Sequence, residues 1–353
     1  MRRFLSVLPF VLGLFTIVSG ETHLKRTVPK GFVTTRGAEF ELDGSPFAFV
    51  GANSYWLPLL TSTEDVEATF QEMNRAGVKV LRTWGFNAIN ASELAGALES
   101  GLTYYQLWNN TDWTLNDGPQ GLQRLDNVLE VALKYDIRGM ELYINHITGA
   151  PTHDIFYTDP KIIASYQRYV KTIVNRYKSS AAIFAWEMMN EARCLGDLPA
   201  GPACVPGSGT LATWYKEQSD FIRSLDPHHL ITTGGEGQFF WKTQDPDFPG
   251  SNFSVEAWGL FWIDAHANAA KKAGKPLILE EFGITGDANR TKIYPTWVNR
   301  ALDTKHGGIM PWQFGMLGLK EDASPNDGLA IYKNQTVWNV FTNAAKVQAT
   351  RSL

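Results

Sequence analysis

The chain repeats one arrangement, in which a short apolar run ends in polar residues and an amphipathic segment follows. Apolar runs of this kind are typical of buried parallel strands, and their alternation with helices is typical of an α/β protein. Seven runs fit this description: 47–53, 78–86, 138–145, 183–191, 229–237, 276–283 and 307–315. A weakly alternating stretch at 32–42 with the turn Asp43-Gly44 predicts a small β cap before the first of them.

The segments between these runs have helical spacing and helix-end signals. Thr63 is a predicted cap of a helix at 64–76 that Gly77 ends, and Asp159-Pro160 opens another helix that reaches 178. The remaining predicted helices are 122–135, 210–225, 261–273, 295–303 and 337–349. The order predicts a (β/α)8 TIM barrel.

One strand of that barrel is missing from the pattern. Between the fifth and the next convincing run, residues 244–254 are rich in Asp, Pro, Gly and Asn. Residues 255–260 are too short and too poorly bounded to predict a strand. Because a barrel of this type needs eight strands, we expect its sixth strand to be missing or distorted.

Composition predicts one globular unit. The chain has 353 residues, of which 44% are hydrophobic and 19% charged, enough to build a large core. Residues 21–353 are therefore expected to form a single domain. The net charge is −4, which together with the lack of a long basic run predicts no nucleic-acid partner.

The first twenty residues have the pattern of a secretory signal peptide. Arg2 and Arg3 precede an apolar stretch at 4–18, and Ser19-Gly20 supplies small residues for cleavage. The alternative is a membrane anchor, but the stretch is shorter than the ~20 residues that a span needs. We expect cleavage after residue 20, a secreted extracellular protein and no membrane contact afterwards.

A secreted protein can form disulfides and carry N-linked glycans, and the sequence has candidate residues for both. Cys194 and Cys204 flank a short loop and are predicted to form a disulfide in an oxidising compartment; the alternative is two free buried thiols. Candidate glycosylation sites follow the Asn-x-Ser/Thr pattern. They are Asn90, Asn109, Asn252, Asn289 and Asn334.

Two strand ends carry glutamates. Glu191 follows Asn190 after the apolar run at 183–189, and Glu281 ends the run that starts at Pro276. The carboxyl ends of barrel strands share one rim, so these carboxylates can flank a glycosidic bond as acid/base and nucleophile. Strand alternation predicts that only one of Glu280 and Glu281 points inward. The competing interpretation is that both strand-end glutamates are solvated structural residues.

Other residue types support the glutamates. Arg82, near the end of the second run, is predicted to keep the nucleophile ionised, unless it is an ordinary surface arginine. Trp56 and Trp312 lie at strand ends and are predicted to stack on sugar faces. His146 is a site residue or a structural histidine, and a turn position for His228 and His229 argues against catalysis by either.

Several other chemistries lack their motifs. The sequence has no HExxH, no cysteine cluster and no GxSxG, and its Gly234 to Gly237 stretch lacks the helix of a phosphate loop. No metal and no cofactor are predicted.

At these residues the chain resembles the family 5 endo-β-1,4-mannanases of fungal and plant type, over nearly all of residues 21–353. The motifs that carry the resemblance are 51–56 (GANSYW), 82–86 (RTWGF), 154–158 (DIFYT), 185–194 (AWEMMNEARC), 280–283 (EEFG) and 311–313 (PWQ). The resemblance implies a (β/α)8 barrel that cleaves β-mannan internally with retention. It also implies that Glu191 is the acid/base and Glu281 the nucleophile, with Arg82, Asn190 and Trp312 in the site.

The chain departs from the family pattern in three places. Ala192 stands where the family has Pro, and His146 where it has Trp. The family's sixth strand ends in a His-x-Tyr motif that is absent between Trp241 and Phe261. The simplest account is a deletion of that strand and its loop.

The deletion leaves three functional hypotheses. In the first, the chain is an active, monomeric mannanase with a distorted barrel. In the second, it is a non-catalytic relative that binds mannan through Trp56, Trp84 and Trp312. In the third, it folds poorly because the missing strand exposes two edges. Activity on cellulose or another β-glucan is a further alternative.

Overall fold

The computed structural model describes residues 28–110, 112–141, 151–195, 198–235, 254–320 and 322–352. Its strands are β1 (Val33–Arg36), β2 (Glu39–Leu42), β3 (Ser45–Phe47), β4 (Phe49–Asn53), β5 (Val78–Arg82), β6 (Ala88–Asn90), β7 (Gln106–Asn109), β8 (Asp112–Leu115), β9 (Arg138–Glu141), β10 (Ile183–Glu187), β11 (Leu230–Thr232), β12 (Ile278–Leu279), β13 (Gly308–Ile309), β14 (Leu317–Leu319) and β15 (Asp322–Ala323). Its helices are α1 (Thr63–Arg75), α2 (Leu94–Ser100), α3 (Leu122–Lys134), α4 (Asp154–Thr158), α5 (Pro160–Tyr177), α6 (Thr210–Leu225), α7 (Val255–Ala273), α8 (Asp287–Asp303) and α9 (Trp338–Arg351).

Seven strands form one curled sheet in the order β11-β10-β9-β5-β4-β13-β12. Every neighbouring pair in this sheet is parallel, and helices connect successive strands. This is the predicted α/β barrel architecture, and it brings the carboxyl ends of all seven strands to one rim.

The sheet does not close between β11 and β12. No strand among the described residues joins these two edges, and residues 255–260 belong to helix α7. The expectation of a missing sixth strand agrees with the helical residues 255–260 and stays a prediction for the rest of the interval between β11 and α7. Residues 236–253 lie outside the described residues. They include most of the interval between Trp241 and Phe261 in which the sequence has no His-x-Tyr motif.

The predicted β cap is present at the base of the sheet. β1, β2 and β3 form an antiparallel sheet, and Asp43 and Gly44 turn the chain between β2 and β3 with positive φ. Phe40 and Phe47 of this cap pack with Phe49 and Phe184 inside the sheet. The ring centroids of Phe49 and Phe184 lie 5.2 Å apart, edge to face, so the interior below the rim is filled with aromatic side chains.

Three predicted helix starts were wrong. Ser62, rather than Thr63, caps α1, because its hydroxyl accepts a hydrogen bond from the backbone N–H of Asp65. Helix α7 begins at Val255, six residues before the prediction, with the Ser254 hydroxyl as its cap. Helix α8 begins at Asp287 and contains Pro295, because Tyr294 and Trp297 on either side of the proline are buried in the core.

The strands are shorter than predicted. β5 ends at Arg82 instead of residue 86, and β12 ends at Leu279, before both glutamates of its run. His146 and the predicted signal peptide lie outside the described residues. Among the helices that the structure describes, none has both the length and the apolar content that crossing a membrane requires.

Candidate active site at the carboxyl rim

The site is centred on the guanidinium of Arg82, the last residue of β5. Its side chain is 1% exposed, so the alternative of a surface arginine is wrong. Nε and Nη2 donate to the two oxygens of Glu187 at 2.7 and 2.6 Å. Nη1 donates to Asn53 Oδ1 at 3.0 Å and to Glu281 Oε1, and Nη2 also donates to Asn190 Oδ1 at 2.6 Å. Arginine has five N–H donors in a planar fork, and all five have an acceptor here.

Arg82 therefore joins the ends of four strands. Asn53 ends β4, Glu187 ends β10, Asn190 follows β10, and Glu281 follows β12. The sequence predicted that Arg82, Asn190 and Glu281 share a site, and these contacts bring the three together. A lysine has one ammonium group and could not satisfy acceptors spread around a plane.

The charges around Arg82 are unequal. Burial by itself would lower the pKa of Arg82, but the Glu187 carboxylate, with smaller effects of Glu280 and Glu281, raises it above its ordinary value. Burial raises the pKa of Glu281, and the opposing attraction of Arg82 does not offset it. Arg82 lowers the pKa of Glu281, which is the direction that favours ionisation, while burial makes the net direction upward; that Arg82 keeps this carboxyl ionised stays a prediction.

Glu280 also belongs to this cluster. β12 ends before Glu280, so strand alternation does not separate it from Glu281, and the prediction that only one of the two faces inward was wrong. Burial, with the nearby Glu187 carboxylate, raises the pKa of Glu280 to about 8. Its Oε1 is buried and has no hydrogen-bond partner within the described residues. Burial thus favours the protonated form of Glu280.

Glu191 is held by its backbone and by Arg193. Its φ is +49°, an uncommon conformation for a residue other than glycine, and its N–H donates to the Gly234 carbonyl at 2.7 Å. The Arg193 guanidinium pairs with the Glu191 carboxylate. The Tyr157 hydroxyl in turn donates to the Arg193 carbonyl at 2.8 Å and accepts from its N–H at 3.0 Å. The segment 154–158 thus supports Arg193, the partner of Glu191.

The loop after Arg193 is covalently closed. Cys194 and Cys204 form the predicted disulfide, with Cα atoms 5.6 Å apart, so the alternative of free thiols is wrong. Asp154 is buried and its Oδ2 accepts from the Ala203 N–H at 2.8 Å. The disulfide and Asp154 fix the far end of the loop.

Aromatic rings line the rim beside the carboxylates. The Arg82 Cζ lies 4.8 Å from the centroid of the Trp84 ring, a cation–π contact. Trp84 is 5.9 Å from Trp312, whose ring is parallel to that of Tyr55 at 5.8 Å. The backbone N–H of Trp312 donates to the Phe282 carbonyl at 2.9 Å, so Trp312 lies next to the segment that contains Glu281.

Trp56 does not join these rings. Its side chain is 1% exposed and packs with Leu57, Phe70 and Met73 in a core cluster. A ring enclosed on all sides offers no face to a sugar, so the prediction that Trp56 binds substrate was wrong. Its position at a strand end resembled that of a rim residue, but the short 3₁₀ turn at Leu57–Leu59 directs the chain into the core.

The turn histidine His229 is also placed away from the rim. It precedes β11, is fully buried, and its Nδ1 lies 2.5 Å from Asp226 Oδ2. Its Nε2 lies 3.0 Å from the Ser180 carbonyl oxygen. This histidine is part of the packing at the base of the sheet.

A cavity of about 880 Å³ lies between β11, β12 and α7. Glu191, Glu281 and Arg82 line its upper part, and Phe40 and His306 line its lower part. The cavity lies between the two edge strands of the described sheet, and its lining runs from the carboxylates at the rim to the base of the sheet. Within the described residues, no group of three or more His, Cys, Asp or Glu side chains is arranged to hold a metal ion.

Sequence reasoning missed several residues of the site, above all Glu187 and Gly234. Glu187 is a charged residue at the end of a buried run, 3% exposed, and that signal could have identified it. Gly234 has φ +66°, and a Cβ there would collide with the Glu187 carboxylate and the Met189 carbonyl. The sequence does not show that approach, because it depends on how β10 and β11 pack.

A curled parallel sheet with glutamates and aromatic rings at its carboxyl rim is typical of glycoside hydrolases of the α/β-barrel class. Residues 40–260 match the family model described as Cellulase (glycosyl hydrolase family 5). The chain belongs to glycosyl hydrolase family 5.

Curated relatives and solved structures agree with this family. Mannan endo-1,4-beta-mannosidase F of Aspergillus clavatus is 37% identical over 88% of this chain and 78% of its own length. Mannan endo-1,4-beta-mannosidase A of Aspergillus aculeatus is 36% identical over 86% of both chains. The endo-1,4-beta-mannanase structure from Rhizomucor miehei has a TM-score of 0.76 and 30% identity, and covers 90% of this chain and 99% of that chain.

Proposed function

We propose that this chain is a secreted, monomeric endo-β-1,4-mannanase that hydrolyses mannan and galactomannan with retention. The observation that carries the proposal is the double contact of Arg82 with Glu281 and Asn190. Through this contact Glu281, which follows one strand, lies next to the Asn190-Glu191 pair, which follows another. The similarity to fungal enzymes named as mannan endo-1,4-beta-mannosidases supports mannan as the substrate.

In the proposed mechanism Glu281 is the nucleophile. Its carboxylate attacks the anomeric carbon, while Glu191 gives its proton to the leaving glycosidic oxygen. Water then releases the sugar from Glu281, and Glu191 takes the proton of that water. Arg82 and Asn190 orient Glu281 and the sugar, and Trp84 and Trp312 supply ring faces for stacking.

Secretion is part of the proposal. It rests on the signal-like pattern at residues 1–20 and is supported by the disulfide between Cys194 and Cys204, since disulfides persist in oxidising compartments. Three sequon asparagines, Asn109, Asn289 and Asn334, are exposed and open to glycosylation.

The test is release of reducing sugar from soluble galactomannan by the purified protein. Glu281→Gln and Glu191→Gln should each lower kcat by at least a thousand-fold, while Glu99→Gln, an exposed glutamate on α2, should not. The configuration of the first product, followed by NMR, should match that of the substrate bond. Carboxymethyl cellulose serves as the second substrate.

The other hypotheses predict different results. A folded wild type without hydrolysis on either substrate would overturn the proposal and leave a mannan-binding relative, which retention on a mannan affinity gel would identify. Preference for carboxymethyl cellulose would identify a β-glucanase. The open edge between β11 and β12 is the observation that keeps the binding relative as the second candidate.

A further inference from the structure

Trp312 is held by a residue that the mechanism does not use. Its indole Nε1 donates to Asp327 Oδ2 at 2.6 Å. The other carboxylate oxygen of Asp327 accepts from the Leu329 N–H at 3.0 Å. One carboxylate therefore connects the indole to the backbone of the loop after β15, and the orientation of the carboxylate is fixed from both sides.

The loop that carries Asp327 is itself anchored. The buried side chain of Arg290, on helix α8, donates from Nη1 to the Ala330 carbonyl at 2.9 Å and from Nη2 to the Gly328 carbonyl at 3.2 Å. Asn326 Oδ1 accepts from the Gly328 N–H at 2.9 Å. Asp327 is exposed, but the backbone that follows it is tied to helix α8 by the two Arg290 contacts.

The orientation of Trp312 matters for its neighbours. The planes of Trp312 and Tyr55 differ by 5°, whereas those of Trp312 and Trp84 differ by 34°. An indole can rotate about its χ angles, and the parallel stack on Tyr55 alone leaves rotation within the ring plane open. The hydrogen bond at Nε1 removes that freedom, because it fixes one edge of the ring.

We propose that Asp327 is a positioning residue that fixes the orientation of the Trp312 ring within its plane, for sugar stacking beside Glu281. The inference rests on the proposed function for its substrate. The proximity of Asp327 to this cluster is independent of that function, since its negative charge, after burial, contributes to the raised pKa of Tyr55. The Trp312 and Leu329 N–H groups lower the pKa of Asp327 against the effect of its burial, so the acceptor is a carboxylate at neutral pH.

The first measurement needs no substrate. Near-ultraviolet circular dichroism reports the stacked Tyr55 and Trp312 rings, and Asp327→Ala should weaken that signal. Asp322→Asn, which removes an exposed charge from the neighbouring hairpin at a left-handed position that Asn tolerates, should leave the signal unchanged. An unchanged spectrum for Asp327→Ala would overturn the proposal whether or not the protein hydrolyses mannan.

The second measurement is a double-mutant cycle on galactomannan hydrolysis. Asp327→Ala should raise KM about ten-fold, the effect of one lost charge-assisted hydrogen bond, with kcat changed less than three-fold. In a Trp312→Phe background the ring remains but the N–H is gone, so Asp327→Ala should have no further effect. The same loss in both backgrounds would show that Asp327 acts through its loop and would overturn the proposal.

If wild type does not hydrolyse galactomannan, the proposed function fails, and the cycle is run on the dissociation constant for mannohexaose. A ten-fold weaker complex for Asp327→Ala in the Trp312 background alone then supports the positioning role. Equal weakening in both backgrounds, or none, overturns it. Asp327→Asn, which has one oxygen for two donors, should give an intermediate value.

Discussion

At the scale of single residues, the site is dominated by an excess of carboxylates over cations. Glu187, Glu280 and Glu281 all act on Arg82, while Arg193 pairs with Glu191. Burying this many acidic groups around one guanidinium raises the pKa of some of them, since like charges and low dielectric both disfavour ionisation. The pH dependence of the protein should therefore depend on residues beyond the proposed catalytic pair.

Glu187→Gln should lower the pKa of Glu281. Burial is the main cause of the raised pKa of Glu281, and the negative charge of Glu187 adds to it, so removal of that charge favours the ionised nucleophile. The acidic limb of the kcat/KM profile should move to lower pH, with a lower plateau because Arg82 loses part of its bidentate pair. Glu99→Gln is the control, and a limb that stays in place or moves to higher pH would contradict this assignment.

Glu280→Gln should flatten the loss of stability that wild type shows as pH rises to about 8. The folded-state pKa of Glu280 is about 8, above its ordinary value of 4.5, so the folded state binds the proton more tightly than the unfolded state. Its contribution to stability is complete below pH 4.5 and is lost as pH rises to about 8. The urea midpoint of wild type should therefore fall as pH rises from about 5 to about 8.

The Glu280→Gln variant should show a smaller fall over the same range, because the amide cannot ionise. Glu99→Gln should behave as wild type. If the variant and wild type lose stability in parallel, Glu280 is not the group that titrates.

At the scale of the elements, the site depends on how closely β10 and β11 approach at the rim. The Met188 N–H donates to the Thr232 carbonyl at 3.0 Å, and the Glu191 N–H donates to the Gly234 carbonyl. These bonds extend the parallel ladder beyond both strands and hold Glu187 and Glu191 on either side of Gly234. A glycine is required there by both its φ and its neighbours.

Gly234→Ala should disrupt both glutamates at once. The new methyl group would meet the Glu187 carboxylate and the Met189 carbonyl, so β11 must move away from β10. We expect kcat to fall at least ten-fold and the thermal midpoint to drop by several degrees, while far-ultraviolet circular dichroism stays near wild type. Gly96→Ala is the matched control, since a methyl group in α2 has open space around it; equal effects of the two substitutions would contradict the role of Gly234.

At the scale of the whole molecule, the described sheet is a barrel that does not close. β11 and β12 are its edges, and each has one neighbour, whereas β4 and β10 have a neighbour on both sides. Edge strands are bonded on one side only, so they open more readily than central strands. These edge strands of the described sheet flank the cavity beside the proposed catalytic pair.

Hydrogen exchange should show this difference along the sheet. Peptides that contain Leu230–Thr232 and Ile278–Leu279 should exchange at least ten-fold faster than those that contain Phe49–Asn53 and Ile183–Glu187. Exchange measured by mass spectrometry at neutral pH tests this. Equal protection of edge and centre would mean that the edges are paired in solution.

The sequence by itself determined the order of elements, the number of convincing strands and the interval in which no sixth strand is predicted. Periodicity along the chain shows which face of each segment is buried, and parallel strands bring their carboxyl ends to one rim, so Glu191 and Glu281 could be named as a candidate pair. Which element contacts which residue is not encoded locally. Helix α8, for example, continues through Pro295 because its neighbours pack in the core.

Only the tertiary structure decided the partners. Arg82 contacts Glu187 across 105 residues of sequence and Glu281 across 199, and no local pattern indicates either contact. The burial of Trp56 is a second example. Its position after a strand predicts a rim residue, but its contacts are those of a core residue. The physical reason is that hydrogen bonds and enclosure depend on the distances between elements, whereas sequence periodicity reports only their faces.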